Sequence, residues 1–286
     1  MPADKKLAAK RVVIFTVIAY AATYLFIFLG FDGLNAKYIL INHLVMMMPA
    51  LSNILTRVIT KDKSETYLRI NFKGNGKYYL FAIVFPVVSS LIMAIVEMLF
   101  LVEDYSFSDS LLHESAAKSI YLILGPTAMG AVIFFICWGE EFGWRAYLTP
   151  QLEKLMGRPA ALIVSGVIWG MWHAPLIAEG LNFGTGYKFF PYAGFIAMCV
   201  SCIFNGIILS WLTDKTGSIL PAAICHSCVD MVFSSFTTLL IPIGAEYKVN
   251  DFWLGVIAMV VIEGIICIAV MIFSGKKSRW LLSRGK

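Results

Sequence analysis

The chain has 286 residues, of which 59% are hydrophobic and 14% charged, with a formal net charge of +5. Apolar runs long enough to cross a bilayer recur along the whole chain, which excludes a soluble globular domain and predicts an all-α, polytopic membrane protein. The basic excess sits in clusters between these runs, so it speaks to membrane orientation and not to nucleic acid.

Windows of about 20 apolar residues predict eight transmembrane helices, at 11–31, 38–58, 78–102, 119–141, 160–178, 191–212, 219–241 and 252–273. The first follows Lys5, Lys6, Lys10 and Arg11, like the start of a signal peptide, but it is too long and lacks a small-residue cleavage site, so it reads as a retained helix. With the N-terminus inside, 19 Lys and Arg residues fall in inner segments and only Lys37, Lys118, Lys188 and Lys248 fall outside. That split predicts a multi-pass protein with both termini in the cytoplasm. The longest inner loop, Thr60 to Lys77, is basic and suits either solvent or an anionic leaflet. Three regions follow: helices 1–3 over 1–118, a polar-site core of helices 4–7 over 119–241, and a last helix with a basic tail over 242–286. No repeat relates the halves, which weakens a transporter reading.

The fourth span closes on Trp138-Gly-Glu-Glu-Phe-Gly-Trp-Arg145, placing Glu140 and Glu141 in or at the edge of the membrane. Ionisable residues there mark function by default. Glu141 and Arg145 are four apart and can pair on one helix face, while Glu140 points about 100° away toward other helices. In the fifth span, Gly166-Val-Ile-Trp-Gly-Met-Trp-His-Ala-Pro175 puts His173 after small residues that permit close helix approach, with Pro175 marking a kink or end. Glu140 and His173 together can activate a water. In the seventh span His226 and Asp230 share a helix face, and the pair suits an oxyanion site, a metal site with Glu140 and His173, or a plain interhelical contact. Cys199-x-x-Cys202 and Cys225-x-x-Cys228 have zinc-ribbon-like spacing, but within apolar helices such cysteines read as small packing residues. His43, Glu97 and Glu263 lack motif partners and read as packing or helix-contact residues.

Glu-Glu-x-x-x-Arg at Glu140 to Arg145, aromatic-x-x-x-His at Trp169 to His173, and His-x-x-x-Asp at His226 to Asp230 resemble, in order, the three motifs of the CPBP intramembrane proteases. That family comprises type II CAAX prenyl proteases and bacteriocin-processing, Abi-like proteins. The resemblance covers about residues 119–240 and extends to the Thr-Gly-Ser-Ile-Leu-Pro run before His226. It implies that Glu140 and His173 activate the attacking water, that His226 with Asp230 serves the oxyanion, and that Glu141 and Arg145 support them. Trp169 stands where the family often has Phe, and Asp230 where it often has Asn. A carboxylate donates to an oxyanion only when protonated, so Asp230 is expected to orient His226.

These readings describe an intramembrane endopeptidase acting on a hydrophobic or lipidated peptide among membrane lipids, with no nucleic-acid partner. No cofactor is expected, zinc on Glu140, His173 and His226 being the alternative; the His-Glu-x-x-His signature is absent. The rival functions are a non-catalytic scaffold or bacteriocin-immunity protein of the same fold, and a proton-coupled transporter. At about 1.5 Å per residue the windows leave His173 and His226 at different depths. Bringing them together is expected to need a fourth helix running on into Tyr147 and a fifth starting near Ser165.

Overall fold

The computed structural model describes residues 3–30, 44–100, 102–232, 235–241 and 252–273, and their regular structure is helical. The helices are α1 (Ala3–Gly30), α2 (Met48–Thr60), α3 (Gly76–Phe100), α4 (Leu111–Glu114), α5 (Ala116–Val132), α6 (Phe135–Gly143), α7 (Thr149–Met156), α8 (Arg158–Trp172), α9 (Ala174–Ala178), α10 (Tyr192–Thr216), α11 (Leu220–Val232), α12 (Ser235–Leu240) and α13 (Phe252–Phe273). Lys37, His43, Lys248, the tail from Lys276 and the start of the second predicted span lie outside the described residues.

Among the described residues, α1, α3 and α10 are long and apolar enough to cross a membrane alone, and α5 with the α6–α7 stretch makes a fourth candidate bent by 56°. Part of the difference from eight windows arises because hydropathy does not see helix ends. The 15 residues of α8 and 13 of α11 extend only about 22 and 20 Å, short of a hydrocarbon core of about 30 Å. The outer faces of α1 and α3 nonetheless expose Val13, Val17, Phe28, Leu80 and Leu99, apolar side chains that suit lipid contact.

Glycines set the closest helix approaches. On α8, a Cβ at Gly166 or Gly170 would strike the backbone of Ile203 or Cys199 on α10. On α6, a Cβ at Gly139 or Gly143 would strike Met47 or Pro49 at the start of α2. Each is a small-x-x-x-small face that lets two backbones meet in an apolar medium, where packing must replace hydrophobic drive. Phe15, Trp144, Tyr147, Trp172, Ile208 and Leu209 fill the space between these pairs.

The basic segments meet at one end. Arg11 approaches Asp62 at 3.2 Å, Gln151 donates to Asp62 at 3.0 Å, and Lys5 donates to the Leu155 carbonyl at 3.2 Å. Arg158 bridges Glu153 and Asp214, while Asn71 donates to the Thr216 carbonyl at 2.7 Å. The start of α1 and the ends of α2, α7 and α10 therefore share this face.

Candidate active site

The acidic helix carries the first part of the site. Asn53 donates to the Phe142 carbonyl at 2.7 Å, and the helix then widens into a π turn over Trp144–Leu148 before α7. Such π segments recur at functional sites. The continuation past Glu141 through Tyr147 agrees with the expected longer fourth helix. Glu140 is buried, and its Oε2 accepts from the indole N–H groups of Trp144 at 3.2 Å and Trp169 at 2.6 Å. Both donors grip one oxygen, which fixes the carboxylate plane without neutralising its charge.

Glu141 links two partners. Arg145 Nε lies 3.1 Å from its Oε2, an ion pair without hydrogen-bond alignment, and His226 Nδ1 lies 2.8 Å from its Oε1. The Arg145 guanidinium also sits 4.0 Å over the Trp169 ring. The expected Glu141–Arg145 pairing is therefore present, but it is Glu141 that holds His226. Asp230 Oδ2 stands farther off, 3.8 Å from His226 Nε2, and accepts from Cys137 Sγ at 3.5 Å. A carboxylate accepts only, so Nδ1 of His226 carries the proton and Nε2 faces Asp230.

His173 lies at the break between α8 and α9, where Pro175 begins a new helical turn. Its Nδ1 lies 3.0 Å from the Trp169 carbonyl, which leaves Nε2 as the free ring nitrogen. Trp172 packs edge-on against the imidazole at 4.8 Å. α8 begins at Arg158 and not near Ser165, so the depth conflict is resolved elsewhere. The turn before α11 is buried at Thr216, Ser218 and Ile219, and His226 and His173 nonetheless line one cavity.

Glu140, His173, His226 and Asp230 all line one cavity of about 510 Å³. The Asp230 side chain is 42% exposed and lines this cavity. Two wall residues, Cys137 and Asn205, escaped the sequence reading. Cys137 precedes Glu140 by three residues and so shares its face. Asn205 on α10 donates to Glu263 Oε1 on α13 at 3.1 Å, a helix contact of the kind expected for Glu263, which also forms part of the cavity wall. Among the described residues, the ligand atoms that converge to within 4.8 Å of one another belong to Cys137, His226 and Asp230. This set shares only His226 with the Glu140, His173 and His226 alternative for zinc.

Residues 122–232 match the family described as Type II CAAX prenyl endopeptidase Rce1-like. Over that segment the chain is similar to Rce1-like proteins. The Rce1-like match includes all four of Glu140, His173, His226 and Asp230, so the resemblance to CPBP proteases drawn from the three motifs holds there. A curated relative, CAAX prenyl protease 2 of Methanococcus maripaludis, is 32% identical over 95 residues, which are 32% of this chain and 34% of the relative. The aligned part thus spans about a third of that relative's length.

Proposed function

We propose that the protein is an intramembrane endopeptidase whose base is Glu140. The observation that carries this reading is a carboxylate clamped by two indoles at the wall of a cavity that also holds two histidines, each anchored through Nδ1. A water in the cavity gives its proton to Glu140, assisted by the lone pair of His173 Nε2, as its oxygen adds to the scissile carbonyl. His226, as imidazolium between Glu141 and Asp230, presents Nε2–H to the oxyanion. Collapse breaks the C–N bond, and the leaving amine takes the proton from Glu140. No metal is used in this sequence of steps.

Cavity walls of Trp169, Trp172, Leu176 and Met198 suit an apolar chain, and the relative's name speaks of prenyl substrates. The substrate class is accordingly a hydrophobic or lipidated peptide entering from the bilayer or the cytoplasmic side. The test is cleavage of quenched peptides, with and without a farnesyl group, by detergent-purified protein. Glu140→Ala and His173→Ala should each lose about 10²–10⁴-fold in kcat/KM, the usual size of general acid–base catalysis. Folded wild-type protein that cleaves none of them would replace this reading with the non-catalytic scaffold. Proton-coupled flux in proteoliposomes, lost in Glu140→Gln, would replace it with a transporter.

A further inference from the structure

We propose that Cys137, His226 and Asp230 form a site for a soft divalent cation such as Zn²⁺, and that filling it inhibits the peptidase. Cys137 Sγ lies 3.5 Å from Asp230 Oδ2, and that oxygen lies 3.8 Å from His226 Nε2. Tetrahedral zinc with bonds of about 2.3 Å to sulfur and about 2.0 Å to nitrogen and oxygen spaces its ligands roughly 3.5 Å apart for S and O and about 3.3 Å for N and O. The three side chains therefore need only small shifts to close on an ion.

The surroundings support the same ion. Glu141 Oε1 accepts from His226 Nδ1 at 2.8 Å, which is the carboxylate–histidine arrangement that orients imidazole ligands and directs the Nε2 lone pair at the metal. Arg145 in turn pairs with Glu141. Binding releases the Cys137 proton, and the thiolate with the Asp230 carboxylate balances the two positive charges of the ion. The exposed side of Asp230 faces the cavity, which supplies an entry path and a fourth position for water.

The inhibition rests on the proposed catalytic role of His226, although the binding does not. Catalysis needs a proton on Nε2, whereas the metal needs its lone pair, so one occupant excludes the other.

Co²⁺ titrated into the purified, metal-stripped protein reads the site directly through the near-ultraviolet thiolate-to-cobalt charge-transfer band. The band should appear at one equivalent, be displaced by Zn²⁺ and vanish in Cys137→Ser, while Glu141→Gln should weaken affinity about 10–100-fold. Peptide cleavage should fall on adding Zn²⁺, return with chelator, and resist Zn²⁺ in Cys137→Ser. Absence of the charge-transfer band in folded wild type overturns the site, whether or not the protein cleaves peptides. A band accompanied by faster cleavage overturns the inhibition and makes the ion a cofactor.

Discussion

At the residue scale, the arrangement turns on what each carboxylate is bound to. Glu140 and Glu141 are neighbours in sequence yet meet different partners, two indoles for the first and Arg145 with His226 for the second. The 100° step between successive helix positions makes that division readable from sequence, as does the four-residue spacing of Glu141 and Arg145. What spacing alone does not reveal is contact between helices. His226 and Asp230 sit four apart, which suggested a pair, but Glu141 on a different helix lies closer to the imidazole. Removing the cation tests how much the buried group depends on it. Arg145→Met should destabilise the protein by about 3–5 kcal/mol, because it leaves a buried carboxylate short of its countercharge. The double variant Glu141→Gln with Arg145→Met should recover part of that loss. Thermal unfolding in detergent reads both, and equal melting of wild type and Arg145→Met would show the ion pair to be energetically idle.

At the element scale, helix identity was legible and helix ends were not. The run from Lys118 to Arg145 reads as one apolar window, whereas the chain bends by 56° between Val132 and Phe135 and then widens at Trp144. Hydropathy registers neither event, since it averages composition along the window, whereas the widening follows Phe142, whose carbonyl is taken by Asn53 on another helix. Small residues before His173 did announce close packing, and Gly170 shows its purpose: its position lets α10 touch α8 three residues before the histidine. Gly170→Ala should therefore cost about 1–3 kcal/mol by overpacking and should lower peptidase activity by displacing His173. Gly125→Ala is the control, since its Cβ meets only the Tyr121 ring at 3.6 Å, an ordinary contact, and replacing an interior helix glycine gains up to about 1 kcal/mol. Paired melting curves decide the matter; similar destabilisation of both variants would remove the packing argument.

At the scale of the whole molecule, the end that gathers Arg11, Asp62, Gln151 and Arg158 acts as a latch between helices. Burial pushes the Asp62 carboxyl up, but the Ser64 amide and then Arg11 outweigh it and hold the group below its ordinary value. A depressed carboxyl contributes stability above its unfolded pKa of about 3.9 and loses it as pH falls through the lower folded value. Asp62→Asn should thus melt earlier than wild type at pH 7, with the gap closing in acid; a gap unchanged by pH would assign the effect to packing. We infer that the same face is cytoplasmic, because the inner basic clusters predicted from charge converge there through α1, α2, α7, α8 and α10. Helix direction supports the inference. α8 and α10 are antiparallel, since Gly166 meets Ile203 while Gly170 meets Cys199, and α1 runs alongside α8, with Tyr20 on the Ile168 carbonyl and Tyr24 on that of Met171. The chain therefore reverses between α8 and α10 even though α8 is too short to span the bilayer alone. Single cysteines placed at Lys63 and Lys118, in a background whose native thiols are blocked, should divide cleanly under an impermeant thiol reagent on intact cells. Lys118 should label and Lys63 should label only after lysis; the opposite pattern would invert the protein and move the basic latch outside.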